Sequence, residues 1–210
     1  MPTTAELLTE IGYRFEDSTP KKIPNNLRYE GLNNAQNRLI GLLDESYLTE
    51  VTSIDADANI SAGYIAFSSI DSSGIFNSGA GILQVYVKPG GSEDSADFAH
   101  IYRSIKEYRD AWGSAYTPSD TNIVAYTFNN RLYVKLGTYT STTADIYYLK
   151  KPTPIASGVN PTINESLHHI MMDFAESYFL QNNPALVTKR NADAEKRAME
   201  QVVMLNSKVK

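Results

Sequence analysis

The spacing of apolar residues changes along this chain, and that change limits the folds that it can adopt. Apolar residues recur every three or four positions near both ends, as in amphipathic helices, and every second position in most of the middle, as in strands. We therefore expect an α+β fold, with a helical layer built from the N- and C-terminal helices and an inserted antiparallel β domain. The predicted helical domain is discontinuous, over 1–46 and 155–210, and the inserted domain over 47–154 contains one helix.

Two helices are predicted before the first strand. The first covers residues 3–15 and ends at a segment with two prolines. The second begins near Asn25 and has an apolar face made of Leu32, Ala35, Leu39, Leu42 and Leu43. Its polar face is unusual because it carries amides in place of Lys and Glu: Asn33, Asn34, Gln36 and Asn37.

The middle of the chain predicts strands in "YLTEVTSI", "ISAGYIAF" and "ILQVYVK". The turn-rich segment around 71–81 should be a hairpin tip or a long loop at an edge, because it has little to bury. A helix is predicted over 95–112, followed by two strands joined by a tight turn at Asn129 and Asn130. The last strand is predicted in "ADIYYLKKPTPI".

The C-terminal part predicts two more helices. The first, in "NESLHHIMMDFAESYFLQ", has an apolar face that the core should use. The second, over about 186–205, is charged and has only a thin apolar stripe: Ala194, Ala198, Val202 and Leu205. A helix with so little to bury depends on packing for its stability. We therefore expect residues 186–210 to dock on a partner chain and to add little to the stability of the free protein.

Residues that could carry chemistry are few. The chain has no cysteine, which excludes a disulfide, a zinc–cysteine site, an iron–sulfur cluster and a cysteine nucleophile. His168, His169 and Asp173 could suggest a metal-dependent hydrolase, but a catalytic zinc site needs about three protein ligands and a third is not visible. Surface or interface positions explain them better, and no nucleophile motif is present. We expect no cofactor, no metal and no enzymatic activity.

Charge and composition favour a protein with protein partners. The formal net charge is -5 and no basic run is present, which disfavours sequence-independent wrapping of nucleic acid. No apolar stretch approaches the roughly 18 residues of a membrane span, and an acidic start argues against a signal peptide. The 14 tyrosines occur largely in predicted strands. They could form a platform for a sugar or a base, or they could simply be cross-strand packing pairs.

The order of these segments resembles the head–tail connector, or adaptor, proteins of tailed bacteriophages. That family includes the tail tubular protein A-like ring proteins of short-tailed phages and the ring proteins of crAss-like phages. Three short motifs carry the resemblance: "LN-x-AQ-x-x-L" from Leu32 to Leu39, aromatic-x-K-x-P from Tyr148 to Pro152, and the Asp173-Phe174-Ala175 segment. The order of elements matches over nearly the whole chain, although the middle is longer than a minimal member needs.

The resemblance implies a virion structural protein of the phage neck, assembled in the host cytoplasm. The expected partners are further copies of the chain in a dodecameric ring, the portal, other tail or ring proteins, and double-stranded DNA that passes through the bore without sequence recognition; no membrane is involved. In this interpretation the amides at Asn33, Asn34, Gln36 and Asn37 form the subunit contact. The residues expected to dock on the portal are Lys189, Arg190, Lys196, Ala198, Val202 and Leu205. The alternative function is a carbohydrate- or ligand-binding β module that uses the tyrosine-rich sheet.

Overall fold

The fold is α+β and divides into two compact units. A computed structural model describes residues 3–17, 19–60, 63–111, 118–119, 121–137, 142–186 and 191–209. The helical unit comprises Met1–Val51 and Pro152–Lys210, and the β unit comprises Thr52–Lys151. The predicted limits of the β domain, 47 and 154, thus lie a few residues outside the observed ones. The 3₁₀ turn Glu45–Tyr47 is followed by buried Leu48 and Val51, so this segment continues the helical unit and does not begin a strand.

The first two helices and the helix before the last lie close to the positions that the apolar spacing predicts, whereas the last helix begins at Ala194 and not near 186. The helices are α1 (Thr4–Arg14), α2 (Asn25–Leu42), α3 (Phe67–Ile70), α4 (Ile105–Ala111), α5 (His168–Asn182) and α6 (Ala194–Asn206). Helix α1 begins with a capping box, in which the Thr3 hydroxyl accepts from the Glu6 backbone and the Glu6 carboxylate accepts from the Thr3 backbone. None of the described helices is long and apolar enough to cross a membrane.

Helix α5 is the centre of the helical unit, and it packs against both α2 and α6. Apolar side chains from α2 and α5, including Leu32, Leu39, Met171 and Phe174, are fully buried. Gly31 is required at its position, because a Cβ there would lie 2.3 Å from the Phe179 ring. The group that approaches the α2 backbone closely at Gly31 is therefore an aromatic ring.

The β unit is a sandwich of two four-stranded sheets. Its strands are β1 (Thr52–Ile60), β2 (Tyr64–Ala66), β3 (Ile82–Pro89), β4 (Asp97–Phe98), β5 (His100–Tyr102), β6 (Val124–Phe128), β7 (Arg131–Lys135) and β8 (Thr142–Leu149). The first sheet has the order β1-β8-β3-β4 and the second has the order β2-β7-β6-β5. The β5–β6 pair is parallel and the other pairs are antiparallel. Alternate residues of both sheets, such as Val85, Ile146 and Leu132, meet in one buried core.

The hairpin between β6 and β7 is the clearest confirmed prediction in the β unit. Asn129 and Asn130 connect the strands as a two-residue loop, and their φ angles are 54° and 57°. Both residues are therefore in the left-handed region, which asparagine tolerates better than most side chains and which a type I′ turn requires.

The helix predicted over 95–112 is largely wrong. Its first part forms β4 and β5, and only Ile105–Ala111 is helical among the described residues. Phe98, Ile101, Tyr102 and Ile105 happen to have helical spacing, but strands of two or three residues are too short to show a period of two. The parallel pairing of His100–Tyr102 with β6 determines the strand conformation.

The segment 71–81 is a turn-rich loop, as its composition predicts, and Ser72, Ser73, Asn77 and Ser78 are exposed, but other parts of it pack on the sandwich. Ile75 is buried in the sandwich core, and the Phe76 backbone donates to the Leu149 carbonyl at 2.9 Å. A Cβ at Gly79 would lie 2.2 Å from the Thr127 hydroxyl oxygen, so the segment packs closely on β6. The glycines therefore permit this close packing.

Candidate functional site

Two of the four amides on α2 bind the returning chain. The Asn33 side chain pairs with both backbone groups of Ile155: its Oδ1 accepts from the Ile155 N–H at 2.7 Å and its Nδ2 donates to the Ile155 carbonyl at 3.0 Å. The Gln36 Oε1 accepts from the Thr162 N–H at 2.7 Å, and Gln36 is buried. These side chains therefore supply hydrogen-bond partners for backbone groups of the returning segment, which would otherwise lack them.

The interpretation of these amides as a subunit contact thus needs correction. Asn33 and Gln36 are used inside their own chain, more than 120 residues away in sequence, and that partner was not visible in the local pattern. Asn34 and Asn37 are exposed, and the Asn34 amide donates to the Glu30 carbonyl of its own helix. Only this pair retains a surface that a neighbouring molecule can reach.

The second correction concerns the C-terminal helix. Ala198 and Val202 are buried, and α6 packs against α5 of the same chain. The sequence pattern assigned one apolar face to α5, but residues on both sides of that helix are buried, including Asp173, Glu176 and Ser177. Small and polar residues make the second contact seam, so apolar spacing alone misses it. The thin apolar stripe of α6 is therefore buried against α5 of the same chain and needs no partner chain to cover it.

Polar contacts hold α6 at both ends. At its start, the Glu195 carboxylate binds Arg38 and also accepts from Gln181 at 2.9 Å. The hydrogen bond from Arg38 lowers the pKa of Glu195. At its end, the Asn206 amide donates to the Leu42 carbonyl at 2.9 Å and accepts from the Asp44 N–H at 2.9 Å. Orientation of α6 is thus specified by side chains at both of its termini.

A charged cluster lies among α1, α5 and α6. Arg14 binds Asp173 at 2.7 Å and Glu176 at 2.9 Å, and Arg197 binds the same two carboxylates at 3.4 and 3.2 Å. Burial alone would lower the pKa of Arg14, but the hydrogen bonds to Asp173 and Glu10 raise it. Because each carboxylate is paired with guanidinium groups, the cluster is a structural ion-pair network that joins the three helices, and it does not resemble a general acid–base pair.

The His168, His169 and Asp173 group is not assembled as a metal site. His168 is buried and its Nε2 lies 3.2 Å from the Ile163 carbonyl, whereas His169 is exposed and Asp173 is bound by arginines. Within the described residues no group of three or more His, Asp or Glu side chains could hold a metal ion.

The six residues that were expected to dock on the portal differ in where they lie: some are outside the described residues, some are buried or half-buried, and one is exposed. Lys189 and Arg190 lie outside the described residues. Ala198 and Val202 are buried and Leu205 is half-buried, with its carbonyl accepting from the Tyr47 hydroxyl at 3.1 Å. Lys196 is exposed, together with two residues that the sequence pattern did not single out: Val203 at 63 % and Met204 at 52 % exposure. These two residues follow directly after Val202 and point away from the buried stripe.

The tyrosines of the second sheet form a cross-strand row. Tyr64 pairs with Tyr133, Tyr133 with Tyr126, and Tyr126 with Tyr102, each in strand register. The rings of Tyr126 and Tyr133 are 5.0 Å apart at an angle of 5°, and Tyr108 of α4 stacks on Tyr126 at 4.5 Å. Ring faces that stack on one another are not free for a sugar ring, so the geometry favours packing pairs over a carbohydrate platform.

Comparisons with known proteins leave the family open. No protein-family model matches the chain, and no curated protein shows significant similarity to it. The resemblance to phage connector proteins therefore rests on the residues and on the order of elements.

Proposed function

We propose that this chain is a virion structural protein that forms the adaptor ring between the portal and the tail of a bacteriophage. The observation that carries the proposal is the discontinuous helical unit. Helices from both ends of the chain build one unit, and the β sandwich is inserted between them. This is the order of elements on which the resemblance to connector proteins rests, and it suits a subunit in which different units serve different neighbours.

The open face of α6 replaces the buried stripe as the proposed contact with the portal. Val203 and Met204 are adjacent exposed apolar residues, and Lys196 is exposed on the same helix. Exposed apolar side chains that lie together favour a protein contact. The double-stranded DNA would pass through the bore without sequence recognition, because an acidic chain offers few contacts to phosphates.

Attachment to purified heads tests this function. Heads that carry a portal but lack neck proteins are mixed with the purified chain and separated by sedimentation. We expect the wild type to sediment with the heads and the double variant Val203→Asp/Met204→Asp to remain in the supernatant. The control is Tyr13→Asp, which places the same charge at an exposed aromatic residue of α1. A wild-type chain that never binds portal-bearing heads would rule out the adaptor function.

A further inference from the structure

The outer face of the β1-β8-β3-β4 sheet carries four apolar or aromatic side chains, two of which are strongly exposed. Ile54 is 47 % exposed and lies opposite Tyr147, and Phe98 is 58 % exposed and lies 5.0 Å from Tyr86, ring centre to ring centre. The outward face of an antiparallel sheet is usually polar when it faces water. Between these two pairs, Tyr147 lies opposite Gln84 and Tyr86 lies opposite Asp145, so Tyr147 and Tyr86 are diagonal neighbours on β8 and β3. Exposed aromatic and aliphatic side chains that lie this close favour a protein contact.

Negative charge borders these side chains. The Lys88 ammonium group lies 2.9 Å from Asp57, 2.8 Å from Glu93 and 3.1 Å from Asp145, so three carboxylates surround one cation and the cluster keeps a net charge of about -2. The Lys88 side chain is covered, whereas those of Asp57 and Glu93 are 71 % and 68 % exposed. The exposed carboxylates therefore present the negative charge outward. We call this surface, which includes Ile54, Tyr86, Phe98 and Tyr147, the acidic face.

The outer face of the second sheet has the opposite charge. Arg131 and Lys135 flank Tyr133 on β7, two residues away on each side, and therefore project from the same side of the sheet as the tyrosine row. The Arg131 guanidinium lies 4.4 Å from the centre of the Tyr64 ring. Helix α4 packs on the β5–β6 half and its own four charged residues cancel, whereas Tyr64 and Tyr133 stay partly exposed. We call this surface the tyrosine face.

We propose that the acidic face of one copy of this chain binds the tyrosine face of the next copy. The inner sides of both sheets meet in the sandwich core, so the two outer faces lie on opposite sides of the β unit. Two acidic faces would repel each other, as would two tyrosine faces, which disfavours a symmetric dimer. A head-to-tail contact instead repeats from copy to copy and closes into a ring when the rotation allows. The inference rests on the proposed function for the closed ring, but pairing of the faces can be measured separately.

The size of the faces predicts that a single contact is weak. With strands about 4.8 Å apart and a rise of about 3.3 Å per residue, the first sheet offers roughly 400 Å². The second sheet offers only roughly 250 Å², because β2 and β5 have three residues each. The contact is therefore limited to about a third of the roughly 800 Å² per partner of a standard interface. Free protein should therefore associate only at high concentration and low salt. Contacts made at the same time with the portal would hold the copies together in the assembled neck.

Charge reversal in solution tests the pairing. Self-association of the full chain is followed by sedimentation velocity over a concentration series, at low and at high salt. We expect Glu93→Lys and Arg131→Glu each to weaken association about tenfold, because each puts like charges across the contact. An equimolar mixture of the two variants should associate again, since the reversed acidic face then meets the reversed tyrosine face. The control for Glu93→Lys is Glu200→Lys on α6, an exposed site with the same change in net charge, which should associate as the wild type does.

A photocrosslink identifies the contacting surfaces. Phe98 is replaced by p-benzoyl-L-phenylalanine, the sample is irradiated at high concentration, and crosslinked peptides are sequenced by mass spectrometry. We expect crosslinks to peptides that contain Tyr64 or Arg131–Lys135 of another copy. Crosslinks to β1, β3 or β4 of another copy, no intermolecular crosslink at the highest concentration, or association that is unchanged in both charge variants would each overturn the proposal. If any of these results were obtained and the variants still attached to portal-bearing heads, the pairing of the two faces would be wrong, but the proposed adaptor function would not be contradicted.

Discussion

Different kinds of interaction stabilise the helical unit and the sandwich, each within itself. In the helical unit, irregular segments are joined to helices by buried polar contacts, such as the Arg28–Asp17 ion pair at 2.9 Å and the Gln36–Thr162 hydrogen bond. In the sandwich, the two sheets meet through aliphatic side chains such as Leu132, Val85 and Ile146, which are fully buried. The difference suggests that the helical unit depends on directional contacts and on pH, whereas the sandwich depends mainly on apolar burial.

The reason lies in how each unit is assembled. Strand pairing gives the sandwich a regular set of backbone hydrogen bonds, so apolar residues can fill its interior without further polar partners. The helical unit contains irregular segments, 15–17, 19–24 and 152–163, which pair with none of the strands of the two sheets. Asp17 accepts from the backbones of Lys21, Lys22 and Ile23, and Thr4 donates from its hydroxyl to the Val159 carbonyl at 2.6 Å. Side chains thus supply the missing partners.

Removing α6 should have the largest effect. A chain that ends after Asn183 loses the cover over α5 and leaves buried Asp173 and Glu176 without Arg197. We expect it to lose a large part of the roughly 5–15 kcal/mol that stabilises a typical domain. Hydrogen exchange should then be fast in peptides of α5 and unchanged in β8. Ending the chain after Asn206 is the control, because residues 207–209 are exposed. If hydrogen exchange in α5 were unchanged by the truncation, α6 would not be part of the monomer fold and would act in contacts with other molecules.

The buried ion pair should give the next largest effect. Asp17→Ala leaves the Arg28 guanidinium buried without its carboxylate, which costs about 3–5 kcal/mol. Urea unfolding measures the loss, and Asp110→Ala is the control because the exposed Lys106–Asp110 pair contributes about 0.5 kcal/mol or less. A loss at Asp17 as small as that at Asp110 would contradict the contrast between the two units.

The pH dependence of the two units should differ. Burial alone would raise the pKa of Asp17, but hydrogen bonds from the Ile23, Lys22 and Lys21 backbones and from Arg28 lower it to about 2 from 3.8. Because the folded-state pKa is lower than the unfolded one, this stabilisation is complete above pH 3.8 and is lost as the pH falls towards 2. The matching core substitution, Leu132→Ala, should cost about 2–5 kcal/mol without titrating in this window. The free energy of unfolding of Asp17→Ala and of Leu132→Ala is compared with that of the wild type by denaturation at pH 5 and at pH 2.5.

The amides on α2 should divide into two classes. Gln36→Ala removes the acceptor of the Thr162 N–H inside the helical unit and should cost about 1–3 kcal/mol. Asn34→Ala changes an exposed amide on the same helix, and its effect should stay within about 0.5 kcal/mol. Thermal unfolding distinguishes the two. Equal losses would show that the returning segment does not depend on Gln36.

His168 should give the smallest effect. Burial lowers its pKa below 6.5, so the neutral ring is the folded form. Since the unfolded chain takes up the proton first, stability is complete above pH 6.5 and decreases as the pH falls from there towards the folded-state pKa. His168→Gln should remove this part of the pH dependence between pH 7 and pH 5. A variant whose stability falls as steeply as that of the wild type would assign the titration to another group.

Local patterns predicted the α+β class, the apolar face of α2 and the Asn129-Asn130 hairpin, because each depends on neighbouring residues. They did not predict the partners of Asn33 and Gln36 or the second seam of α5, because those contacts join residues that the fold brings together from distant parts of the chain. The strands at Phe98 and Tyr102 were missed for another reason: they are too short to carry a period. The exposed apolar residues Ile54, Phe98, Val203 and Met204 became recognisable as surfaces only once the core was known.

Cryo-electron microscopy of a virion that contains this chain tests the central claim most directly. The account predicts a closed ring of copies between portal and tail, with the acidic face of each β unit against the tyrosine face of the next and with Val203 and Met204 facing the portal. The result that would contradict it is a virion in which this chain is absent from the neck, or is present there as separate copies that do not touch one another.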